Sequence, residues 1–136
     1  IDYSFPKNDN RFTHYNAVEQ EQLVNFYHKA KVFILPSREE GLAMVQAQAV
    51  ACNLPLIGSK DSGAEDLQQI VENPYYITII RDFSMEAVIE AINVALKKYD
   101  ELGDTLYAGD MRTHLTWEAY GKRYSENLKE ICNEKK

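Results

Sequence analysis

The sequence predicts an α/β domain built on a doubly wound, mostly parallel sheet. Three observations carry that expectation. Val32-Phe33-Ile34-Leu35 is a continuous apolar run stopped by Pro36, the pattern of a strand buried on both faces. Leu56-Ile57-Gly58 repeats it in shorter form after Pro55. Helical periodicity fills the intervals, so strands and helices alternate over most of the chain.

Residues 1–12, with Pro6, Asn8, Asp9 and Asn10, read as a strand end followed by a loop. Phe12 to Tyr15 reads as a short strand. Leu23, Phe26, Tyr27 and Ala30 recur at helical spacing on one face, ahead of the Val32 run. A second helix is expected from about Leu42 to Cys52. It should end at Asn53, which tolerates the left-handed conformation, with Pro55 blocking continuation. Gly63 punctuates the loop after Gly58. Ala64 to Val71 then reads as a short helix with Glu65 and Asp66 in its first turn, where acids suit the helix dipole. Tyr75 to Ile80 is a β-rich run. Ser84 is the expected N-cap of a helix with Met85, Val88, Ile89, Ile92, Ala95, Leu96 and Tyr99 on its apolar face. A closing helix, about residues 114–133, carries Trp117, Tyr120, Gly121, Tyr124, Leu128 and Ile131 on one face, and this aromatic stripe reads as core.

The 136 residues suffice for one domain with a real core. No apolar run approaches the ~20 residues that cross a bilayer, and no signal peptide is visible. The chain starts at Ile1 rather than Met, which points to a missing start. With 15 Lys and Arg against 21 Asp and Glu, the net charge of −6 and the lack of a basic stripe argue against nucleic-acid binding. Lys135 and Lys136 read as a solvated tail. Cys52 and Cys132 match no metal spacing, and Cys52, among small apolar residues, reads as a buried free thiol. His14, His28 and His114 are scattered, with His28 on the polar side of its helix, and Ser37 lacks the setting of a nucleophile elbow.

The loop after Leu35 carries the most chemistry. Ligands of open α/β sheets bind outside the carboxyl ends of the strands. Here a buried strand gives way to Pro36-Ser37-Arg38-Glu39-Glu40-Gly41 and then to a helix. A helix start presents N–H groups and partial positive charge, a natural seat for a phosphate. Gly41 and Ala43 are small enough to admit a ligand to the backbone. A carboxylate such as Glu40 does not suit a phosphate but accepts hydrogen bonds from hydroxyls. Phosphate on amides and hydroxyls on an adjacent carboxylate together describe a nucleotide sugar. The plainer alternative is a solvated turn with two exposed acids.

The segment PSREEGLAMVQAQAVACNLPLIGS resembles the signature of the family-four retaining glycosyltransferases, the group 1 type with a GT-B fold. Pro36, Ser37, Glu40, Gly41, Ala49, Ala51, Cys52 and Pro55 match its pattern in register. Glu19 to Ala30 and Thr116-Trp117-Glu118 extend the resemblance to both flanks. It implies a Rossmann-like domain, the C-terminal half of a two-domain enzyme, with residues 1–136 incomplete at the amino end. It implies donor binding and retaining transfer to an acceptor held by an N-terminal domain that the chain lacks, so that the fragment alone is inactive. Bacterial surface-polysaccharide assembly is the job most common in the family.

The resemblance also distributes roles. Glu40 would bind donor-sugar hydroxyls, and Gly41, Leu42, Ala43 and Met44 would offer backbone N–H groups to the sugar and diphosphate. Gln48, in place of the family's second Glu, would hold the ribose, about 10 Å along the helix. Ala43 and Asn53 stand where the family usually has Gly, and the Gly-Gly loop becomes Asp61-Ser62-Gly63. The family's upstream basic pair is absent, and Arg38 and Lys60 are the nearest basic candidates. His14 and Tyr15, with Asn16 beside them, are candidates to lie near the nucleobase. No residue in the fragment stands out as a catalytic nucleophile, and neither metal nor cofactor is implied. The expected partner is a UDP-, GDP- or ADP-sugar. The expected setting is cytoplasmic, with any peripheral contact at the inner face of a membrane left to the missing half. A non-catalytic or weakened sugar-nucleotide module and a sugar-nucleotide epimerase of related fold are the alternatives.

Overall fold

The computed structural model describes residues 9–71, 74–102 and 111–134. The amino-terminal turn with Pro6 and Asn8 and the basic end at Lys135 and Lys136 lie outside the described residues. Three strands, β1 (Phe33–Leu35), β2 (Leu56–Ser59) and β3 (Ile77–Ile80), form a parallel sheet in the order β1-β2-β3. Five α-helices accompany them among the described residues: α1 (Gln20–Lys29), α2 (Met44–Ala51), α3 (Ala64–Ile70), α4 (Met85–Leu102) and α5 (Trp117–Glu134). The result is a Rossmann-like α/β arrangement.

Strand β2 lies between its neighbours and is buried at every position, as a continuous apolar run requires. Alternate residues feed two cores. Leu56 meets Val50, Ala64, Leu67, Val71 and Ile77 beneath α2 and α3. Ile57 meets Ile80, Ala91 and Ala95 beneath α4. A third cluster, Tyr27, Ala49 and Leu54, fastens α1 to α2. Gly58 has room only for hydrogen, because a Cβ there would lie 2.4 Å from Ala64 Cβ.

The helix ends follow their local chemistry. Asn53 adopts φ 56° after α2, with its N–H on Val50 O at 2.9 Å and the Leu54 N–H on Ala49 O at 3.0 Å. Those two bonds make the Schellman closure that the Asn-Leu-Pro sequence predicts. Ser84 caps α4, its Oγ accepting from the Ala87 N–H at 3.3 Å. Gly63, at φ 68°, starts α3.

Four expectations are corrected. Phe12 to Tyr15 forms no strand; Phe12 and Tyr15 are exposed, and no described segment pairs with this stretch. β1 is not buried on both faces, because it is an edge of the described sheet and Ile34 stays 38% exposed. The packed face of α4 is Val88, Ala91, Ile92 and Ala95, while Met85, Ile89 and Leu96 are exposed. The stripe on α5 is not core, because α5 packs mainly against the 3-10 turn Met111–Leu115. Trp117 is 80% exposed, and Tyr120, Tyr124, Leu128 and Ile131 are exposed as well. Trp117 and Tyr120 line an apolar groove of about 430 Å³ with Leu42, Met44, Ile70 and Leu115. No described helix is long and apolar enough to cross a membrane.

Candidate functional site

The loop from Pro36 to Ala43 joins β1 to α2 and is held from one side by the loop after β2. Pairing of β1 with β2 runs as far as Leu35 opposite Gly58. Pro36 has no N–H to extend the ladder. The Ser59 hydroxyl takes over by donating to the Ser37 carbonyl, and the Glu40 N–H donates to Asp61 O at 2.8 Å. Gly63 presses directly on the turn, where an added Cβ would lie 2.7 Å from Leu42 Cα and 2.8 Å from Leu42 N. Beneath it, the buried Gln46 amide donates to Ser62 Oγ at 2.9 Å, and Ser62 Oγ donates to Ser59 O at 2.9 Å.

This bracing leaves the helix start open. Ala43 is the N-cap of α2 and supplies no side-chain hydrogen bond. Leu42, Ala43 and Met44 make no backbone N–H bond among the described residues. α2 also has no acid in its first turn, whereas α1, α3, α4 and α5 carry Glu21, Glu65 with Asp66, Glu86 and Glu118 there. The amino end of α2 therefore presents N–H groups and positive potential that its own first turn does not offset. A Cβ built on Gly41 would meet nothing within 4 Å. Leu42 and Met44 are exposed, and the exposed Glu40 accepts from Ser37 Oγ at 2.8 Å. Helix-start amides, open space and a fixed carboxylate thus stand side by side in one loop.

A family model described as glycosyl transferases group 1 matches residues 7–109. The chain belongs to that family. Among curated proteins it is similar to the lipopolysaccharide 1,2-N-acetylglucosaminetransferase of Salmonella typhimurium, with 28% identity over 112 residues. The match covers 80% of this chain and 29% of the relative's length. No solved structure gives a significant match.

The remaining candidates in this group 1 chain are placed as follows. Gln48 lies one turn beyond Met44 on α2 and accepts from the Tyr27 hydroxyl at 3.1 Å. Burial pushes the Tyr27 hydroxyl above its ordinary pKa, so it remains a donor. Tyr15 is exposed and meets Phe26 edge to face at 4.7 Å, so Tyr15 and Gln48 both touch α1, at neighbouring residues. Asn16 and His14 are exposed beside it, and His28 is exposed on α1. Arg38 lies 5.7 Å from the centre of the Phe83 ring, toward the loop before α4. Lys60 pairs with Asp61 at 2.9 Å. Cys52 is half-buried rather than buried, at the C-cap of α2, and burial raises its thiol pKa. No group of His, Cys, Asp or Glu among the described residues has the arrangement of a metal site.

Sequence reasoning missed the Ser59–Ser37 bond, the Tyr27–Gln48 bond and the burial of Gln46. Pro-Ser at the strand end is the signal for the first. The proline ends the ladder, and the Ser37 carbonyl just past it is left to accept from a hydroxyl on the next strand, that of Ser59.

Proposed function

We propose that this chain binds the donor of a sugar transfer where β1 runs into α2, and that the protein carrying it is a retaining glycosyltransferase. The observation that carries the reading is the uncapped start of α2, with open space at Gly41 beside Glu40. The diphosphate sits on the N–H groups of Leu42, Ala43 and Met44, and the sugar lies over Gly41 with its hydroxyls donating to Glu40. Gln48 faces the ribose, with Tyr15 and Asn16 toward the base and Arg38 and Lys60 at the phosphate margin. The acceptor comes from an N-terminal domain of the same polypeptide. No metal takes part, because the helix amides stabilise the leaving diphosphate. Glu40 is an orienting group, and rate comes from positioning and electrostatics. The relative's name supports polysaccharide assembly as the setting.

Gln48 supplies the test. Its carbonyl already accepts from Tyr27, so a ribose hydroxyl meets the remaining lone pair of that oxygen or the amide N–H2. Glu at this position has lone pairs for both Tyr27 and the ribose, and a charged acceptor binds more strongly. Isothermal titration of the intact protein with UDP, GDP and ADP should show binding of at least one, tightened about tenfold by Gln48→Glu. Weaker binding by Gln48→Glu places residue 48 away from the ribose. Absence of binding by all three removes the donor site.

A further inference from the structure

We infer that Ser37 is a positioning residue for donor recognition, acting through Glu40 from a mount on the buried end of β2. The inference rests on the proposed role of Glu40 at the donor sugar. Ser37 Oγ donates to Glu40 Oε2 at 2.8 Å, and the Ser37 carbonyl is held by the hydroxyl of Ser59, which is fully buried. Ser59 is itself fixed, because its carbonyl accepts from Ser62 Oγ, which Gln46 Nε2 engages in turn. The Glu40 backbone is tied separately by its N–H on Asp61 O. A chain of hydroxyls and amides therefore runs from inside the domain to the tip of an exposed carboxylate.

The consequence is chemical. A free Glu on a surface loop samples many rotamers, and fixing it on binding costs side-chain entropy. Ser37 meets part of that cost before the ligand arrives. It also takes one acceptor site of Oε2 and leaves the other acceptor sites of the carboxylate for sugar hydroxyls. A ligand with hydroxyls gains from this arrangement, and a bare nucleotide, which does not reach Glu40, does not.

That difference separates positioning from general support of the loop. Steady-state transfer by the intact protein is measured with UDP-glucose, UDP-N-acetylglucosamine and GDP-mannose as donors, with UDP and GDP as inhibitors. Ser37→Ala should raise KM for the accepted donor about tenfold. The inhibition constant of the bare nucleotide should stay within about twofold, and Ser37→Thr, which keeps the hydroxyl, should restore most of the loss. In a Glu40→Ala background, Ser37→Ala should add nothing. Equal losses for donor and bare nucleotide overturn the inference, as does an undiminished Ser37→Ala effect without Glu40. An impaired Glu40→Ala beside an unaffected Ser37→Ala removes the inference and leaves the donor site standing. An unaffected Glu40→Ala removes both.

Discussion

Gly63→Ala is expected to destabilise the domain by about 3 kcal/mol, and Gly41→Ala, in the facing loop, by almost nothing. Gly63 has φ 68°, a conformation that costs a residue with a Cβ about 1–2 kcal/mol. The new methyl would also lie 2.7 Å from Leu42 Cα, a backbone atom that cannot swing aside. Overpacking of this kind adds about 1–3 kcal/mol. Against a total stability of about 5–15 kcal/mol, the sum is large. Gly41 has no positive φ, and a methyl there meets nothing within 4 Å. Urea unfolding of the two variants checks the contrast. The functional outcome differs as well. Gly41→Ala should keep the fold and still weaken donor binding, because its methyl fills the space assigned to the sugar. Equal stability of the two variants would mean that the loops after β1 and β2 are not pressed together.

Glu40→Ala is expected to reduce sugar transfer by the intact protein about 100-fold or more while leaving the thermal midpoint within a degree or two of the parent. Hydrogen bonds to a charged acceptor contribute about 1.5–3 kcal/mol each, and every 1.4 kcal/mol is tenfold. Two sugar hydroxyls on one carboxylate account for the loss. The fold is spared because the Glu40 side chain is exposed and its bond is to Ser37. Steady-state kinetics with calorimetry of both proteins decides the matter. Unchanged kinetics would leave Glu40 a solvated acid.

Much of the fold was legible because local chemistry and tertiary structure agree. The apolar run at Leu56 becomes a buried strand, Asn53 takes the left-handed position at the end of α2, and Ser84 caps α4. Errors fall where a segment depends on neighbours that the described residues do not supply. Phe12 to Tyr15 has strand-forming residues and no paired strand, Ile34 sits on an edge, and the stripe from Trp117 to Ile131 is a helical face with little packed against it. Periodicity identifies an apolar face and says nothing of what covers it.

The site divides in the same way. Its residue types and spacing stand together in the sequence, since Glu40 to Gln48 form one continuous loop and helix. The bracing around them does not, because Ser59 meets Ser37, Tyr27 meets Gln48 and Gly63 meets Leu42 across about 20 residues in each case. Such contacts are set by strand register and helix packing. The burial of Gln46 was missed for another reason, since it shares the buried face of α2 with Ala49 and Val50 at i+3 and i+4 but is a polar residue of a type mostly found exposed.

The central claim is that a diphosphate rests on the amides opening α2. A crystal structure of the intact protein, grown with the nucleotide sugar it turns over, tests it directly. The predicted result is phosphate oxygens about 2.7–3.2 Å from the N–H groups of Leu42, Ala43 or Met44, with a sugar hydroxyl at equal range from Glu40. Diphosphate bound elsewhere, as in the groove beside Trp117, with the start of α2 empty, would contradict it.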